Sequence, residues 1–70
     1  MDLPNLIVLF ARVVDAGSFS AAARELNQSP SAVSKEIAYL EDRVSVRLLA
    51  RSKNGVTLTD EGHAFYERCA

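Results

Sequence analysis

Residues 17–37 read GSFSAAARELNQSPSAVSKEI, and they contain the clearest helix signals in the sequence. Ser18 and Ser29 each precede a run with helical spacing, and serine is a favoured N-cap because its hydroxyl accepts a hydrogen bond from a free backbone N–H. Pro30 strengthens the second start, since proline fits the first turn of a helix. Asn27 lies between the two runs, and asparagine tolerates a left-handed backbone. The stretch therefore predicts two helices joined by a short turn.

Each of these two helices has an apolar side that we expect to be buried. In the first helix the apolar positions are Phe19, Ala22, Ala23 and Leu26. In the second helix they are Val33, Ile37, Leu40 and Val44. The opposite side of the second helix carries small or hydrogen-bonding residues, namely Ser31, Ser34, Lys35 and Ala38. The second helix therefore combines a narrow apolar stripe with a polar face, and Ser45 is expected to end it.

A further helix is predicted before this pair, over residues 2–15. Its apolar residues follow helical spacing and are Leu6, Leu9, Phe10, Val13 and Val14. Asp2 is expected to cap this helix, and Pro4 is tolerated in its first turn. We expect it to form the core support of the fold.

A two-stranded hairpin is predicted after the pair. Two short apolar segments, 48–50 and 56–58, flank Asn54 and Gly55. An Asn-Gly dipeptide between such segments is a strong hairpin signal, so the turn is expected at these two residues. Thr59 is then placed to cap a last helix.

The last helix carries Asp60 and Glu61 at its positive end, where acidic residues are favourable. We interpret its apolar residues as contacts to the core or to a partner helix, and they are Phe65, Tyr66 and Cys69. His63 shares a face with Glu67 and has no second histidine for a metal site, so an exposed i, i+4 pair is the simpler interpretation. No stop signal follows, and the sequence is expected to continue in a longer protein.

The predicted order is helix, helix, helix, hairpin, helix. A short connection between the middle helices is typical of a helix-turn-helix, here at about residues 18–37. A hairpin directly after its second helix makes the motif a winged one. The predicted fold class is therefore mainly α, with a three-helix core, a two-stranded β wing and the start of a further helix.

The composition limits the class of protein. Seventy residues form one domain at most, and apolar residues make up 49% and charged residues 24%, as in ordinary globular domains. The lone Cys69 excludes an internal disulfide framework and a cysteine-based zinc site. The apolar run at 6–11 stops at Arg12 and is too short to span a membrane. We expect a cytoplasmic protein that is not an enzyme and has no cofactor, no metal and no membrane contact.

The charges are unevenly distributed along the chain. The net charge of −1 rules out a globally basic nucleic-acid binder. Residues 29–58, however, carry five basic and three acidic side chains, a net +2, whereas the remainder carries three basic and six acidic ones, a net −3. Between Arg43 and Lys53 four basic residues occur without an acidic one. A local basic face therefore remains compatible with the overall charge.

Several segments of the chain resemble LysR-type transcriptional regulators. Residues 17–26, GSFSAAAREL, are similar to the second helix of that family, and residues 29–37, SPSAVSKEI, to the start of its recognition helix. The match continues in register at Leu40 and Glu41, at Val46, Arg47, Leu48 and Leu49, at Arg51 and Ser52, at Leu58 and Thr59, and at Gly62. Together these segments span nearly all of the chain.

The resemblance implies sequence-specific binding of double-stranded DNA by the N-terminal domain of a bacterial repressor or activator. Residues 1–58 would form the DNA-binding domain, and residues 59–70 the start of a linker helix through which the family dimerises. The full-length parent would be a homo-oligomer that takes a small-molecule effector in a C-terminal domain. The present chain is expected to be a monomer or a weak dimer. A winged-helix module for protein–protein association is the alternative.

The candidate DNA-binding residues are Ser29, Pro30, Ser31, Ser34, Lys35, Arg51 and Lys53. Ser34 and Lys35 are expected to reach base edges in the major groove, because short side chains let the helix approach and lysine reaches a guanine edge or a phosphate. Ser29 is expected to combine capping with phosphate contact at the helix N-terminus. Arg51 and Lys53, at the base and tip of the wing, are expected to contact phosphates. The alternative for each of them is solvated polar surface.

Overall fold

The computed structural model describes residues 3–53 and 55–69, without the side chain of Cys69. The elements in chain order are α1 (Leu3–Ala16), α2 (Phe19–Leu26), α3 (Pro30–Val44), β1 (Leu49–Ser52), β2 (Gly55–Leu58) and α4 (Asp60–Cys69). The predicted order of helices and hairpin is confirmed. The expected cap of α1 at Asp2 lies outside the described residues.

The helix starts and turns follow from the residues that the sequence pattern indicated. Ser18 caps α2 by accepting a hydrogen bond at 3.0 Å from the Ala21 N–H, and Ser29 caps α3 by accepting one at 3.2 Å from the Ala32 N–H. Asn27 ends α2 with a left-handed φ of 58°. The helix-turn-helix is therefore held by the predicted serines and asparagine, and Ser45 ends α3 with a φ of 61°.

The core lies between α1, α2 and α3. Its buried side chains are Leu6, Leu9, Phe10, Val13, Ala22, Ala23, Val33, Ile37, Leu40, Leu48 and Leu49. The predicted apolar sides of the helices are confirmed, although Val14, Phe19, Leu26 and Val44 are half-buried at the edge of this cluster. Because Ala22 and Ala23 have small side chains, α3 can pack closely against α2.

The wing differs from the prediction in the position of its turn. Strands β1 and β2 pair antiparallel, with Leu49 opposite Leu58 and Ser52 opposite Gly55. Gly55 is therefore a strand residue and not a turn residue as predicted, whereas Lys53 lies in a turn; Asn54, the other predicted turn residue, lies outside the described residues. The reason is tertiary: Gly55 has a φ of 125°, and a Cβ there would overlap the Gly17 carbonyl.

Hydrogen bonds from the backbone and from one side chain join the wing and its flanking residues to the helices. The Val56 N–H donates to the Gly17 carbonyl at 3.0 Å, which anchors β2 to the turn between α1 and α2. The Thr59 hydroxyl donates to the Arg47 carbonyl at 2.6 Å and accepts from the Gly62 N–H at 2.9 Å. Thr59 is therefore the predicted cap of α4 and also joins that helix to the segment before β1.

Helix α4 packs its aromatic residues on the core. The Phe65 and Tyr66 rings lie edge-on to Phe10, with ring centroids 5.4 and 6.2 Å away. The Tyr66 hydroxyl also donates to the Asp15 carboxylate at 2.8 Å. The interpretation of Phe65 and Tyr66 as core contacts is confirmed, and the side chain of Cys69 lies outside the description.

Candidate nucleic-acid interface

The N-terminal half of α3 forms an exposed polar edge of the molecule. Ser29, Pro30, Ser31 and Lys35 are exposed there, and Ser34 is half-buried. The hydroxyl oxygens of Ser29 and Ser31 lie 3.4 Å apart, so the structure brings these two candidates together. Because the apolar stripe of the same helix is buried in the core, this edge presents only short side chains and Lys35 at the start of α3.

Arg51 of the wing reaches across to this edge. Its guanidinium donates a hydrogen bond to the Ser34 hydroxyl. The guanidinium also lies over the ring of Phe19, 4.4 Å from the ring centroid. Two predicted site residues, Ser34 and Arg51, are therefore in direct contact, and a residue of α2 that the sequence pattern assigned to the core takes part in the site.

Glu41 fixes the start of the wing relative to α3. One oxygen of its carboxylate accepts hydrogen bonds from the backbone N–H groups of Leu48 at 2.9 Å and Leu49 at 3.2 Å. The carboxylate thus satisfies two donors at the point where the chain enters β1. No sequence pattern indicated this role, because a side-chain contact over seven or eight residues has no periodic signature.

The basic side chains around α3 and the wing are all exposed. They are Lys35, Arg43, Arg47, Arg51 and Lys53. A shallow open groove between α3 and β1 is lined by Ser34, Ala38, Arg47 and Arg51, among others. The guanidinium of Arg43 lies 6.0 Å from the centroid of the Tyr39 ring on the same helix. Basic side chains are therefore exposed on both α3 and the wing, the elements to which the uneven charge distribution assigned them.

The remaining titratable groups near the end of the chain have simple partners. The His63 ring nitrogen Nδ1 lies 3.5 Å from the Glu67 carboxylate, and both side chains are exposed. Within residues 3–53 and 55–69, no cluster of three His, Cys, Asp or Glu side chains could hold a metal ion. In the same part of the chain, no helix combines the length and hydropathy needed to cross a membrane.

The short turn between α2 and α3, the exposed edge of α3 and the adjoining basic wing define a winged helix-turn-helix DNA-binding domain. Residues 4–63 match the family model described as bacterial regulatory helix-turn-helix protein, lysR family. The chain belongs to this family. The resemblance that the sequence segments indicated is thereby confirmed.

Known proteins of this family are similar over nearly the whole chain. The HTH-type transcriptional activator AaeR of Escherichia coli (strain K12) is 46% identical over 69 residues, which cover 99% of this chain and 22% of AaeR. The chain thus spans about a fifth of the length of the curated relatives it matches.

Two solved structures of DNA complexes have the same fold. The complex of the CbnR DNA-binding domain with DNA superposes with a TM-score of 0.90 and is 35% identical, covering 97% of this chain and 78% of that chain. The BenM DNA-binding domain in complex with benA site 1 DNA has a TM-score of 0.85 and is 36% identical, covering 99% of this chain and 76% of that chain.

Proposed function

We propose that this chain is the sequence-specific DNA-binding part of a longer LysR-type regulator of bacterial transcription. Helix α3 would enter the major groove of double-stranded DNA, and the wing would lie on the phosphate backbone. The observation that carries the proposal is the exposed N-terminal edge of α3 with the wing arginine held beside it. An α-helix about 10–12 Å in diameter fits a major groove about 12 Å wide, provided that its leading side chains are short.

The candidate residues take two kinds of role. Ser31, Ser34 and Lys35 face the base edges, because they occupy the leading turns of α3. Ser29 and Pro30 form the helix N-terminus, where free N–H groups and the helix dipole favour a phosphate. The basic side chains Arg51 and Lys53 contact phosphates, since they belong to the wing.

The parent protein carries the functions that this domain lacks. We infer that residues 1–58 are the DNA-binding domain and that residues 59–70 begin a linker helix for dimerisation. The parent would act as a cytoplasmic homo-oligomer, with a small-molecule effector bound in a C-terminal domain. Binding would involve no catalysis, no cofactor and no metal. The regulator names of the relatives support this assignment, and so does the match to domains solved on DNA.

Two substitutions separate base reading from anchoring. Base contacts carry sequence preference, and phosphate contacts carry mostly affinity. Both variants are made in a longer portion of the parent protein that dimerises. In that protein, Lys35→Ala should reduce the discrimination between bases at one or two operator positions by about 1–3 kcal/mol each. Arg51→Ala should weaken specific and random duplexes alike and lower the salt slope by about one unit per half-site. The measurement is binding to an operator, its single-base variants and random duplex over a salt series.

The outcome of that series also tests the alternative function. If Arg51→Ala changed base preference while Lys35→Ala cost only uniform affinity, the roles of α3 and the wing would be reversed. Phosphate-driven binding weakens steeply with salt. A protein that bound no duplex at low salt would instead be a winged-helix module for protein–protein association.

A further inference from the structure

We propose that Phe19 is a positioning residue, which holds the Arg51 guanidinium beside α3 so that it is preorganised for contact with the DNA backbone. This inference rests on the proposed function. It assigns to α2 a part in DNA binding beyond supporting α3. The residues come from three elements that meet at one point, namely Phe19 of α2, Ser34 of α3 and Arg51 of β1.

The ring of Phe19 is anchored by the fold. Phe19 is half-buried and packs against the core cluster, which restricts the position of its ring. The guanidinium of Arg51 lies over the ring, 4.4 Å from the centroid, and Arg51 itself is exposed. A cation over an aromatic face is attracted by the negative potential of the ring. The guanidinium of the exposed Arg51 is therefore held against an anchored aromatic ring.

The Arg51 guanidinium keeps hydrogen-bond donors that the contact with Phe19 does not use. Stacking uses the flat face of a guanidinium, whereas its five N–H donors point outward in the plane. The hydrogen bond to the Ser34 hydroxyl occupies one of these donors. The other donors stay free to bind a phosphate in a fork geometry, which a lysine ammonium cannot reproduce. Phe19 thus orients Arg51 without using the groups that contact DNA.

Restriction of the Arg51 side chain in the free protein favours DNA binding. A long arginine side chain normally loses rotamer freedom when it binds a ligand, and this loss opposes association. In this fold, the contacts with Phe19 and Ser34 already restrict Arg51 in the free protein. Removing the ring should therefore weaken DNA binding only as long as Arg51 is present.

A double-mutant cycle on the whole chain tests this dependence. The probe is a random-sequence duplex at low salt, because a phosphate contact does not require an operator. Phe19→Leu should weaken binding about three- to tenfold, the range expected for a cation–π contact. The same substitution should have no measurable effect in the Arg51→Ala background. Phe19→Tyr keeps the ring face and should bind like the wild type.

A matched control and a DNA-free measurement complete the design. Phe65→Leu removes a half-buried ring on α4 and should leave duplex affinity unchanged, which controls for general loss of packing. In the free protein, the ring current of Phe19 should shift the side-chain NMR signals of Arg51 upfield, and Phe19→Leu should abolish that shift.

The outcomes distinguish this inference from the proposed function. Equal losses from Phe19→Leu in both backgrounds would overturn the positioning role, and so would Arg51 signals that do not respond to the substitution. In either case a wild-type chain that binds duplex would leave the proposed function intact. A wild-type chain that bound no duplex would overturn the proposed function and, with it, the role assigned to Phe19.

Discussion

Gly62 is a position in the first turn of α4 at which only a hydrogen atom fits. It is buried, and a Cβ built there would overlap the backbone carbonyl of Leu48. The same carbonyl accepts a hydrogen bond from the Thr59 N–H at 3.1 Å. Glycine is therefore required here by the close approach of α4 to the segment that leads into β1, and not by an unusual backbone angle.

Substitution of Gly62 gives a result opposite to that expected from helix propensity. In an exposed helix, Gly→Ala stabilises by about 1 kcal/mol. Here we expect Gly62→Ala to lower the free energy of unfolding by about 1–3 kcal/mol, because the methyl group must displace backbone. Urea denaturation measures the change. His63→Ala, at the exposed neighbouring position, is the control and should change stability by less than about 0.5 kcal/mol. A more stable Gly62→Ala variant would show that α4 does not lie against Leu48.

Tyr66 offers a second test at the level of a single side chain. The hydrogen bond from its hydroxyl to Asp15, together with the negative charge of that carboxylate, raises the pKa of Tyr66 above its ordinary value. The contribution of this contact to stability is therefore fully present below about pH 10, and it is lost as the pH rises through the raised pKa. Asp15→Asn should lower the pKa of Tyr66, as measured by tyrosinate absorbance, with Tyr66→Phe identifying its signal. An unchanged titration in Asp15→Asn would contradict the contact.

At the scale of the element, α3 has two sides with different tasks. Val33, Ile37 and Leu40 fill the core, and the leading turns on the other side carry the polar edge. The helix is continuous from its serine cap to Ser45, so the buried stripe fixes the rotation of the whole helix about its axis. Because of that coupling, packing in the core sets which side chains α3 presents to solvent.

Truncation of a side chain in the apolar stripe tests which side of α3 is buried. Ile37 is 2% exposed, and we expect Ile37→Ala to cost about 2–5 kcal/mol, a large share of the stability of a small domain. Thermal melting reports the loss. Tyr39→Ala on the exposed side of α3 is the matched control, because Tyr39 is 47% exposed whereas Ile37 is almost completely buried. An equal melting temperature for Ile37→Ala and the wild type would mean that the wrong face has been placed inside.

The wing is held to the helices at several points along the hairpin. Glu41 accepts hydrogen bonds from Leu48 and Leu49 at one end, and Gly17 accepts one from Val56 at the other. Arg51 adds the side-chain contact to Ser34 and Phe19. A two-stranded hairpin is marginally stable alone, so these attachments determine where the wing lies relative to α3.

In the molecule as a whole, the large exposed apolar side chains of the described residues come from different parts of the chain. The large exposed apolar side chains Val8, Tyr39 and Val46 do not share one element. A stable interface takes about 800 Å² from each partner. That is about a sixth of the 4641 Å² surface of this chain.

We therefore expect the chain to be a monomer or a weak dimer at micromolar concentration. Sedimentation velocity over a concentration series measures the association directly. Phe65 and Tyr66 already pack on Phe10, so they are partly unavailable for a partner helix. A tight dimer would mean that α4 retains enough free surface to form a seam, or that another face of the domain is used.

Local signals in the amino-acid sequence are enough to predict the elements of this protein and their order. Each of these signals acts over a few residues, so it can be recognised without knowing the rest of the fold. The signals are the serine caps, proline in a first turn, left-handed asparagine and apolar spacing. The family could be recognised from the sequence for the same reason, because the segments that resemble it are local and occur in a set order.

The assembly of the candidate site depends on contacts between distant segments of the chain. Arg51 and Phe19 lie 32 positions apart in the chain, and their contact exists because α1, α3 and the wing bring β1 to the start of α2. The place of Gly55 in β2 has the same origin, since the close approach of the Gly17 carbonyl leaves no room for a Cβ there. Such contacts depend on backbone approach between distant segments, which leaves no periodicity in the sequence. The sequence therefore specified which side chains are available, and packing selected which of them meet.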